Sequence, residues 1–379
     1  MRTLFKKKRL KFLAGCLDLT GPLWKLAAPR GAKRQGPRSI LVIRLDHLGD
    51  ILYATPIPQL LKENEAGSRI TFLTSSVGAA LLQNNPFVDE TIVYDAPWFS
   101  RSGRTGNPNF GQVLRLLKEK RFDIALCLRG DFRENWLAYA AGIPERIGYG
   151  VTGGSFFLSQ ALPYGFGAHE TEHTLDVLKA VGIEAAALRP KIYFSQEEEK
   201  RFSEKMRQWG LEDHRYAMAQ LDAGTEAKQW PAENVDGFLA TAAGRFAQTP
   251  LVFVGSDAST KLRVAEAMQK NPLLPWKNLI GETSLRELFW MIKQARLFVG
   301  HDSGPSHVAA SFGIPTLFLY SGTNRWEEWR SLEESAEFLR HPVPCSPCHL
   351  TTCPVPGHPC MAGIEPEKAV RWMEERAHG

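Results

Sequence analysis

The feature that most constrains the fold is an alternation of short apolar segments with longer amphipathic ones, which runs through the chain twice. Short apolar runs separated by helical segments predict parallel β-sheets covered by helices, in a doubly wound α/β arrangement. The predicted strands are SILVIRL (39–45), RITFLTS (69–75), ETIVY (90–94), FDIALCL (122–128) and RIGYG (146–150), then RYAMAQL (215–221), PLVFVG (250–255), NLIG (278–281), RLFVG (296–300) and PTLFLY (315–320).

The alternation is interrupted near residue 190, so we expect two α/β domains of similar size. A length of 379 residues agrees with this, at roughly 150 residues per domain. We divide the chain into a basic segment (1–38), a first domain (39–190), a second domain (191–340) and a Cys-rich loop with a C-terminal helix (341–379). The ligand cleft is expected between the two domains, at the carboxyl ends of the strands. The sequence contains no run of 18 or more apolar residues, so we predict no transmembrane helix.

Positive charge is concentrated at the N-terminus. Residues 1–38 contain eleven Lys or Arg and one acid, whereas the rest of the chain carries 35 basic and 40 acidic residues. This distribution is not that of a nucleic-acid-binding protein with a uniformly basic surface. Basic residues mixed with Leu, Phe and Trp predict a segment that lies on an anionic membrane surface. A solvated basic arm is the alternative, and a signal peptide is disfavoured because Asp18 interrupts a short apolar run.

An acidic turn, Asp46-His47-Leu48-Gly49-Asp50, directly follows the first predicted strand. The carboxyl end of a parallel strand is where α/β proteins bind ligands. Asp50 either caps the following helix, which stabilises it by about 1 kcal/mol, or serves as a general base. Asp46 and Asp50 flank one short turn, so a close approach of their carboxylates would raise the pKa of one of them.

A loop in the second domain, LDAGTEAKQWP (221–231), combines Thr225 and Lys228 with a glycine after a predicted strand. Backbone N–H groups, a hydroxyl and an ammonium in one loop are typical of a phosphate-binding site. The loop is not a Walker A motif, because it lacks the GK[ST] sequence.

A small-residue loop within LFVGHDSGPSHVAASFGIPTLFLY (297–320) is the sharpest motif. Ser303 and Gly304 lie at a predicted helix N-terminus, flanked by Asp302 and His307. Backbone N–H groups at a helix N-terminus favour a diphosphate. The alternative is an N-cap serine followed by a buried histidine. A hydrolase triad is a poor interpretation, because the Gly-x-Ser-x-Gly elbow is absent.

Four of the six cysteines lie within sixteen positions, as Cys345-x2-Cys348-x4-Cys353-x6-Cys360. Such short spacings predict a loop closed by a structural Zn²⁺ with four thiolate ligands. With four thiolate ligands, this metal would have no coordination position open for substrate. The alternatives are reduced thiols without metal and disulfides, of which the latter are disfavoured in a reducing compartment.

Taken together, these segments resemble glycosyltransferase family 9, the ADP-heptose:lipopolysaccharide heptosyltransferases. The resemblance spans about residues 39–375, and FVGHDSGPSHVAASFGIPT is its most specific segment. The other segments that carry it are ILVIRLDHLGDILYATPIPQLL, NNPFVDETIVYD, GTEAKQWP and CSPCHLTTCPVPGHPCM. The resemblance implies the GT-B fold, in which two Rossmann-like, doubly wound domains face a central cleft.

The resemblance also implies an activity, the transfer of heptose from ADP-heptose to the lipopolysaccharide inner core with inversion and without a required cofactor. Asp50 then corresponds to the family's general base, and an acid after the middle strand, here Asp257, corresponds to the ribose contact. The implied contacts to the nucleotide diphosphate are Thr225, Lys228, Asp302, Ser303, Gly304 and His307. The alternatives are another donor sugar or acceptor, a nucleotide-sugar 2-epimerase of similar architecture, and a nucleotide-binding scaffold without activity.

An inner-core acceptor carries carboxylates and phosphates, so arginines near the ends of first-domain strands are candidate contacts. These are Arg129, Arg133 and Arg146, and each of them is equally well explained as a solvated surface residue. An acceptor of this kind, together with the basic segment, predicts a cytoplasmic enzyme at the inner face of the cytoplasmic membrane, with no nucleic-acid partner.

Overall fold

The computed structural model describes residues 37–99, 108–246 and 249–377. The predicted membrane-binding segment 1–38 therefore lies outside the described residues, except for its last two positions. The chain folds into two compact units, and the boundary between them falls between Tyr193 and Phe194. Among the described helices, none is both long enough and apolar enough to cross a membrane.

The first unit is built on a six-stranded sheet in which every neighbouring pair of strands is parallel. The sheet order is β3-β2-β1-β4-β5-β6. Its strands are β1 (Ser39–Arg44), β2 (Arg69–Thr74), β3 (Glu90–Val93), β4 (Ile124–Cys127), β5 (Glu145–Tyr149) and β6 (Gln160–Leu162). Its helices are α1 (Leu48–Leu52), α2 (Ile57–Asn64), α3 (Ser76–Leu82), α4 (Phe110–Lys120), α5 (Phe132–Ala140) and α6 (Glu170–Ala180).

The second unit contains a parallel six-stranded sheet in the order β12-β11-β10-β7-β8-β9. Its strands are β7 (Ala217–Gln220), β8 (Leu251–Val254), β9 (Trp276–Asn278), β10 (Leu297–His301), β11 (Thr316–Tyr320) and β12 (Ala336–Arg340). Its helices are α7 (Gln196–Gln208), α8 (Ala232–Arg245), α9 (Ala258–Lys270), α10 (Leu285–Lys293), α11 (Gly304–Ser311), α12 (Trp326–Trp329), α13 (Pro359–Ala362) and α14 (Pro366–Ala377).

Both faces of each sheet are buried, which explains why the strands read as continuous apolar runs. In β1, Ile40 and Val42 pack into the core on one face, while Leu41 and Ile43 pack into the core on the other. All four side chains are at most 1% exposed. The C-terminal helix α14 packs on α8 and contributes Trp372 and other apolar residues to the core of the second unit.

The structure confirms the predicted α/β class and adds two strands that the sequence pattern did not reveal. The strands β6 and β12 both lie at sheet edges. No residue of either strand is fully buried, so neither produces a continuous apolar run. The predicted strand NLIG is also displaced, because β9 ends at Asn278, where that prediction begins.

Candidate active site

The predicted loops lie at corresponding positions in the two sheets. If the six strands of each unit are counted from its N-terminus, both sheets have the order 3-2-1-4-5-6. Doubly wound sheets bind ligands where this order reverses, beside the first and fourth strands. The turn 46–50 follows β1 and Arg129 follows β4, while the loop 221–231 follows β7 and Asp302 follows β10.

Asp50 lies in the first turn of α1, but it does not cap the helix. The N-cap residue is His47, and no side chain caps this terminus. The Asp50 side chain is instead directed into a buried cluster of charges and is only 6% exposed. Its Oδ1 lies 3.3 Å from Nη2 of Arg44, in an ion pair without hydrogen-bond geometry. Capping therefore does not explain this aspartate.

The pKa values of the two acids of the turn differ sharply. This agrees with the prediction that a close approach of the two carboxylates raises the pKa of one of them. Burial, reinforced by the charge of Asp46, raises the pKa of Asp50 to about 7. Burial also disfavours the charged form of Asp46, but Arg44 and Arg129 outweigh it and lower the pKa of Asp46 below its usual range. Arg44 Nε donates to Asp46 Oδ1 over 2.7 Å. A carboxyl that titrates near neutrality, beside one that stays ionised, is an arrangement suited to general-base catalysis.

Two of the three predicted acceptor arginines lie over the same aromatic ring, that of Phe99, and one of them pairs with the charge cluster. Arg129 forms an ion pair with Asp46 and stacks over the ring of Phe99, 4.5 Å from its centroid. Arg133 pairs with Asp131, at 2.6 Å. About a third of each guanidinium-bearing side chain is exposed, at 34% and 30%. Their contact with an acceptor stays a prediction.

Arg146 is placed differently from our expectation. It is 1% exposed, and its guanidinium donates to the backbone carbonyls of Ile143, Pro144 and Phe157. Because these acceptors lie within its own unit and the side chain has almost no contact with solvent, Arg146 stabilises the local fold. It is not available as an acceptor contact in this structure.

In the second unit, Lys228 and Asp302 form the centre of the predicted phosphate site. Lys228 ends a 3-10 turn (Glu226–Lys228), and its Nζ lies 2.6 Å from Oδ2 of Asp302. The same ammonium donates to the Asp302 carbonyl over 3.2 Å. Burial opposes the charge of Asp302, but Lys228 and His307 hold its pKa well below the usual range. An ammonium has three donors, so one remains for a phosphate oxygen.

The loop after β10 is held in place by neighbouring polar side chains. Ser303 is the N-cap residue of α11, which begins at Gly304, but its hydroxyl makes no cap bond. That hydroxyl donates to Oε1 of Gln220 over 3.0 Å instead. His307 Nε2 lies 3.3 Å from Oδ1 of Asp302. Ser303 therefore occupies the N-cap position and His307 is buried, as the alternative predicted, but the serine hydroxyl is engaged with the end of β7 and makes no capping bond.

Two residues that we did not predict shape this site. Asp222 accepts from the backbone N–H groups of Ser256 and Asp257, and so ties the end of β7 to the loop after β8. A Cβ atom at Gly255, where φ is +142°, would stand 2.6 Å from the Asp222 carboxylate. Asn324 donates to Oδ2 of Asp302 over 3.2 Å. An acid directly after a buried strand was the available signal for Asp222, whereas nothing local marked Asn324.

Thr225 and Asp257 have local structural roles. Thr225 precedes the 3-10 turn, and its carbonyl accepts from the Lys228 N–H over 3.0 Å. Asp257 caps α9, where its Oδ2 accepts from the Thr260 backbone N–H and from the hydroxyls of Ser259 and Thr260. These bonds lower the pKa of Asp257, the largest contribution coming from Ser259. Its contact with a ribose stays a prediction.

The Cys-rich loop packs against the phosphate loop but does not form the predicted zinc site. The four thiols line one small cavity of about 50 Å³. Within residues 37–99, 108–246 and 249–377, no three His, Cys, Asp or Glu side chains are arranged to hold a metal ion, and the four cysteines form no disulfide. The loop instead braces the Lys228 turn, because the Ala227 N–H donates to Thr351 O and Cys353 N–H donates to Glu226 Oε2.

Comparison with known proteins agrees with this arrangement. The family model described as glycosyltransferase family 9 (heptosyltransferase) matches residues 111–358. The lipopolysaccharide core heptosyltransferase OpsX of Haemophilus influenzae is 23% identical over 296 residues, which are 76% of this chain and 81% of that protein.

Two solved structures share the fold, each at 21% sequence identity. A family 9 glycosyltransferase from Veillonella parvula has a TM-score of 0.75, covering 92% of this chain and 99% of that one. The ADP-heptose lipopolysaccharide heptosyltransferase II of Escherichia coli has a TM-score of 0.69, covering 90% and 98%. Both units are Rossmann-like, the predicted site residues lie at both switch points, and the family model matches most of the chain. This protein is therefore a glycosyltransferase of family 9, with the GT-B fold.

Proposed function

We propose that this enzyme transfers a heptose from ADP-heptose to the inner core of lipopolysaccharide, with Asp50 as the general base. The observation that carries the proposal is the environment of Asp50, a buried carboxyl with a pKa of about 7 at the switch point of a family 9 chain. A base with this pKa is both ionised and basic enough to accept a proton at neutral pH. The names of the similar proteins support the choice of donor and acceptor.

In the proposed reaction, the first unit binds the acceptor and the second binds the nucleotide sugar. Asp50 removes the proton of the acceptor hydroxyl as the oxygen bonds to the anomeric carbon, and the bond from that carbon to the diphosphate breaks. A single displacement of this kind inverts the anomeric centre. Arg129 and Arg133 are the proposed contacts to acceptor anions, because both are partly exposed and lie over the ring of Phe99, and Arg129 also pairs with Asp46 of the Asp50 cluster.

The departing ADP gains negative charge on its β-phosphate, and the second unit offers groups that stabilise it. Lys228 is oriented by two bonds to Asp302, and the N-terminus of α11 presents the backbone around Ser303 and Gly304. His307 holds the other Asp302 oxygen. Donors fixed before the reaction stabilise developing charge without reorganising, which is why such groups contribute strongly to catalysis. Thr225 and Asp257 are the proposed phosphate and ribose contacts at the edge of this site.

A donor panel tests the proposed function. The purified full chain is incubated with ADP-heptose, a UDP-sugar or a GDP-sugar and with a heptose-deficient lipopolysaccharide acceptor. We expect release of ADP that depends on the acceptor, together with a gain of one heptose in the acceptor mass. An Arg133→Ala variant should raise the KM for the acceptor about tenfold, because a charge-assisted contact is lost. Preference for a UDP- or GDP-sugar would exclude the proposed donor.

We also propose that the basic segment 1–38 brings the enzyme to an anionic membrane surface, on the cytoplasmic side where its acceptor would be made. Replacing Lys6, Lys7 and Lys8 with Gln in the full chain should weaken binding to anionic phospholipid vesicles about a hundredfold, at roughly 1 kcal/mol per lysine. Cosedimentation measures this binding, and neutral vesicles are the control. Equal binding of the variant and the unmodified chain to anionic vesicles would contradict the proposal.

A further inference from the structure

A continuous series of buried charges leads from Asp50 into the interior of the first unit. One guanidinium nitrogen of Arg44, Nη2, lies 3.3 Å from Oδ1 of Asp50 and 2.8 Å from Oε1 of Glu170. The other Glu170 oxygen lies 3.5 Å from Nδ1 of His173. None of these four residues is more than 9% exposed. Asp50 and Glu170 therefore compete for the same nitrogen, and the shorter contact belongs to Glu170.

Helix stability does not explain why Glu170 is buried. Glu170 and Glu172 both lie in the first turn of α6, where an acid interacts favourably with the helix dipole. Glu172 is exposed and provides this interaction at little cost, whereas burying a carboxylate costs several kcal/mol unless it is paired. The pairing of Glu170 with Arg44 therefore calls for a different role.

His173 contacts the Glu170 oxygen that Arg44 does not contact. Its Nε2 lies 3.1 Å from the carbonyl oxygen of Gly165, so a protonated ring directs one N–H to that carbonyl and the other toward Glu170. Burial disfavours the charged ring, but Glu170 outweighs it and the pKa of His173 is raised. The carboxylate of Glu170 thus contacts both the Arg44 guanidinium and the His173 ring.

The charges that act on Asp50 come from four places in the first unit. Arg44 and Arg129 favour its ionised form, while burial and the carboxylates of Asp46 and Glu170 favour its protonated form. The neighbouring helix α3 has the sequence SVGAALL and brings no titratable group. Glu134 of α5 is buried near Asp46 and Arg129. Of the carboxylates, Glu170 alone shares a guanidinium nitrogen with Asp50.

We propose that Glu170, held by His173, is a positioning residue that keeps Asp50 basic by occupying Arg44. With Glu170 in place, Arg44 is shared and makes only a loose ion pair with Asp50. Without the Glu170 charge, Arg44 is free to close on Asp50 and stabilise its ionised form. The catalytic consequence rests on the proposed role of Asp50 as the base, but the effect on its ionisation does not.

The test is the pH profile of kcat/KM for the full chain and for its Glu170→Gln and Glu172→Gln variants. We expect Glu170→Gln to move the acid limb about one pH unit lower, since a neighbouring negative charge is lost and Arg44 is released. The plateau rate should also fall, because a weaker base transfers the proton less effectively. Glu172→Gln, an exposed change in the same helix turn, should leave the profile unchanged. An unmoved acid limb in Glu170→Gln, or an equal shift in Glu172→Gln, would overturn the proposal.

A second measurement separates this inference from the proposed function. The Asp50 carboxyl is titrated by NMR in protein labelled with ¹³C-carboxyl aspartate, and its resonance is assigned by its absence in Asp50→Asn. A lower Asp50 midpoint in Glu170→Gln supports the inference even if no transfer is detected, and an unchanged midpoint overturns it. If Glu170→Gln does not fold, His173→Gln replaces it, with a shift in the opposite direction, because the charge of Glu170 then acts on Arg44 without the contact of the His173 ring. No shift in that variant would overturn the proposal.

Discussion

Replacing Asp50 with Asn should lower kcat about a thousandfold while leaving ADP binding intact. General-base catalysis by a positioned side chain contributes about 10² to 10⁴ in rate, and an amide of the same shape cannot accept the proton. The groups proposed to bind the nucleotide lie in the second unit, so their affinity for ADP should not change. Steady-state kinetics with saturating donor and calorimetric titration with ADP measure the two effects. A variant that keeps more than about a tenth of the activity would exclude Asp50 as the base.

The same substitution should stabilise the protein at neutral and alkaline pH. The pKa of Asp50 is about 7 in the folded chain, whereas an unfolded aspartate titrates near 3.9. Between these values the folded state binds more protons than the unfolded state, so the unmodified protein loses stability as pH rises through this window. Asn carries no such dependence. The gain in free energy of unfolding of the Asn variant over the parent should be small near pH 4, grow toward pH 7 and then level off, reaching at most about 4 kcal/mol.

Denaturant unfolding at a series of pH values measures this difference, and it also controls for the loss of activity. A variant that is inactive yet at least as stable as the parent at pH 8 has lost chemistry and not its fold. A stability difference that stays constant from pH 4 to pH 8 would mean that Asp50 does not titrate in the window given above.

Replacing Lys228 with Ala should lower kcat/KM for the donor by a factor of about 10² to 10³. That is the usual effect of removing one fixed donor from a site where negative charge develops. ADP binding should weaken too, because the proposed contact of the ammonium with the diphosphate is made in the ground state as well as in the transition state. Lys270→Ala, an exposed change at the end of α9 in the same unit, is the matched control and should leave both quantities unchanged. Undiminished ADP affinity in Lys228→Ala would exclude this lysine as a phosphate ligand.

The effect of Lys228→Ala on stability should be moderate and should depend on pH. The substitution removes the main cation from the buried carboxylate of Asp302, which keeps His307 and Asn324 as partners. Since Lys228 is itself 23% exposed, we expect a loss of about 1–2 kcal/mol near pH 7. The lowered pKa of Asp302 means that this stabilisation is present above the unfolded carboxyl pKa and is lost in acid. The difference from the parent should therefore shrink as the pH falls below about 4.

The architecture and the loops of the candidate site could both be predicted from the sequence. Apolar runs such as 39–45 and 296–300 form strands that are buried on both faces. Such patterns are local, so they can be read directly from the chain. The strands β6 and β12 were missed because edge strands bury too little of their surface to leave a pattern.

The ionisation of the candidate site residues, and their exposure to a ligand, depend on the tertiary structure. Arg44 meets Glu170 across 126 positions of sequence, and Lys228 meets Asp302 across 74. In the sequence, Arg146 was a candidate acceptor contact like Arg129 and Arg133, but the fold buries it among backbone carbonyls. The physical reason is that ionisation and burial depend on groups that are near in space and far along the chain. The acidic turn could be recognised from its own residues, but the raised pKa of Asp50 comes from burial and from the charges of Asp46 and Glu170, which outweigh the opposing charge of Arg44 once the fold brings these groups together.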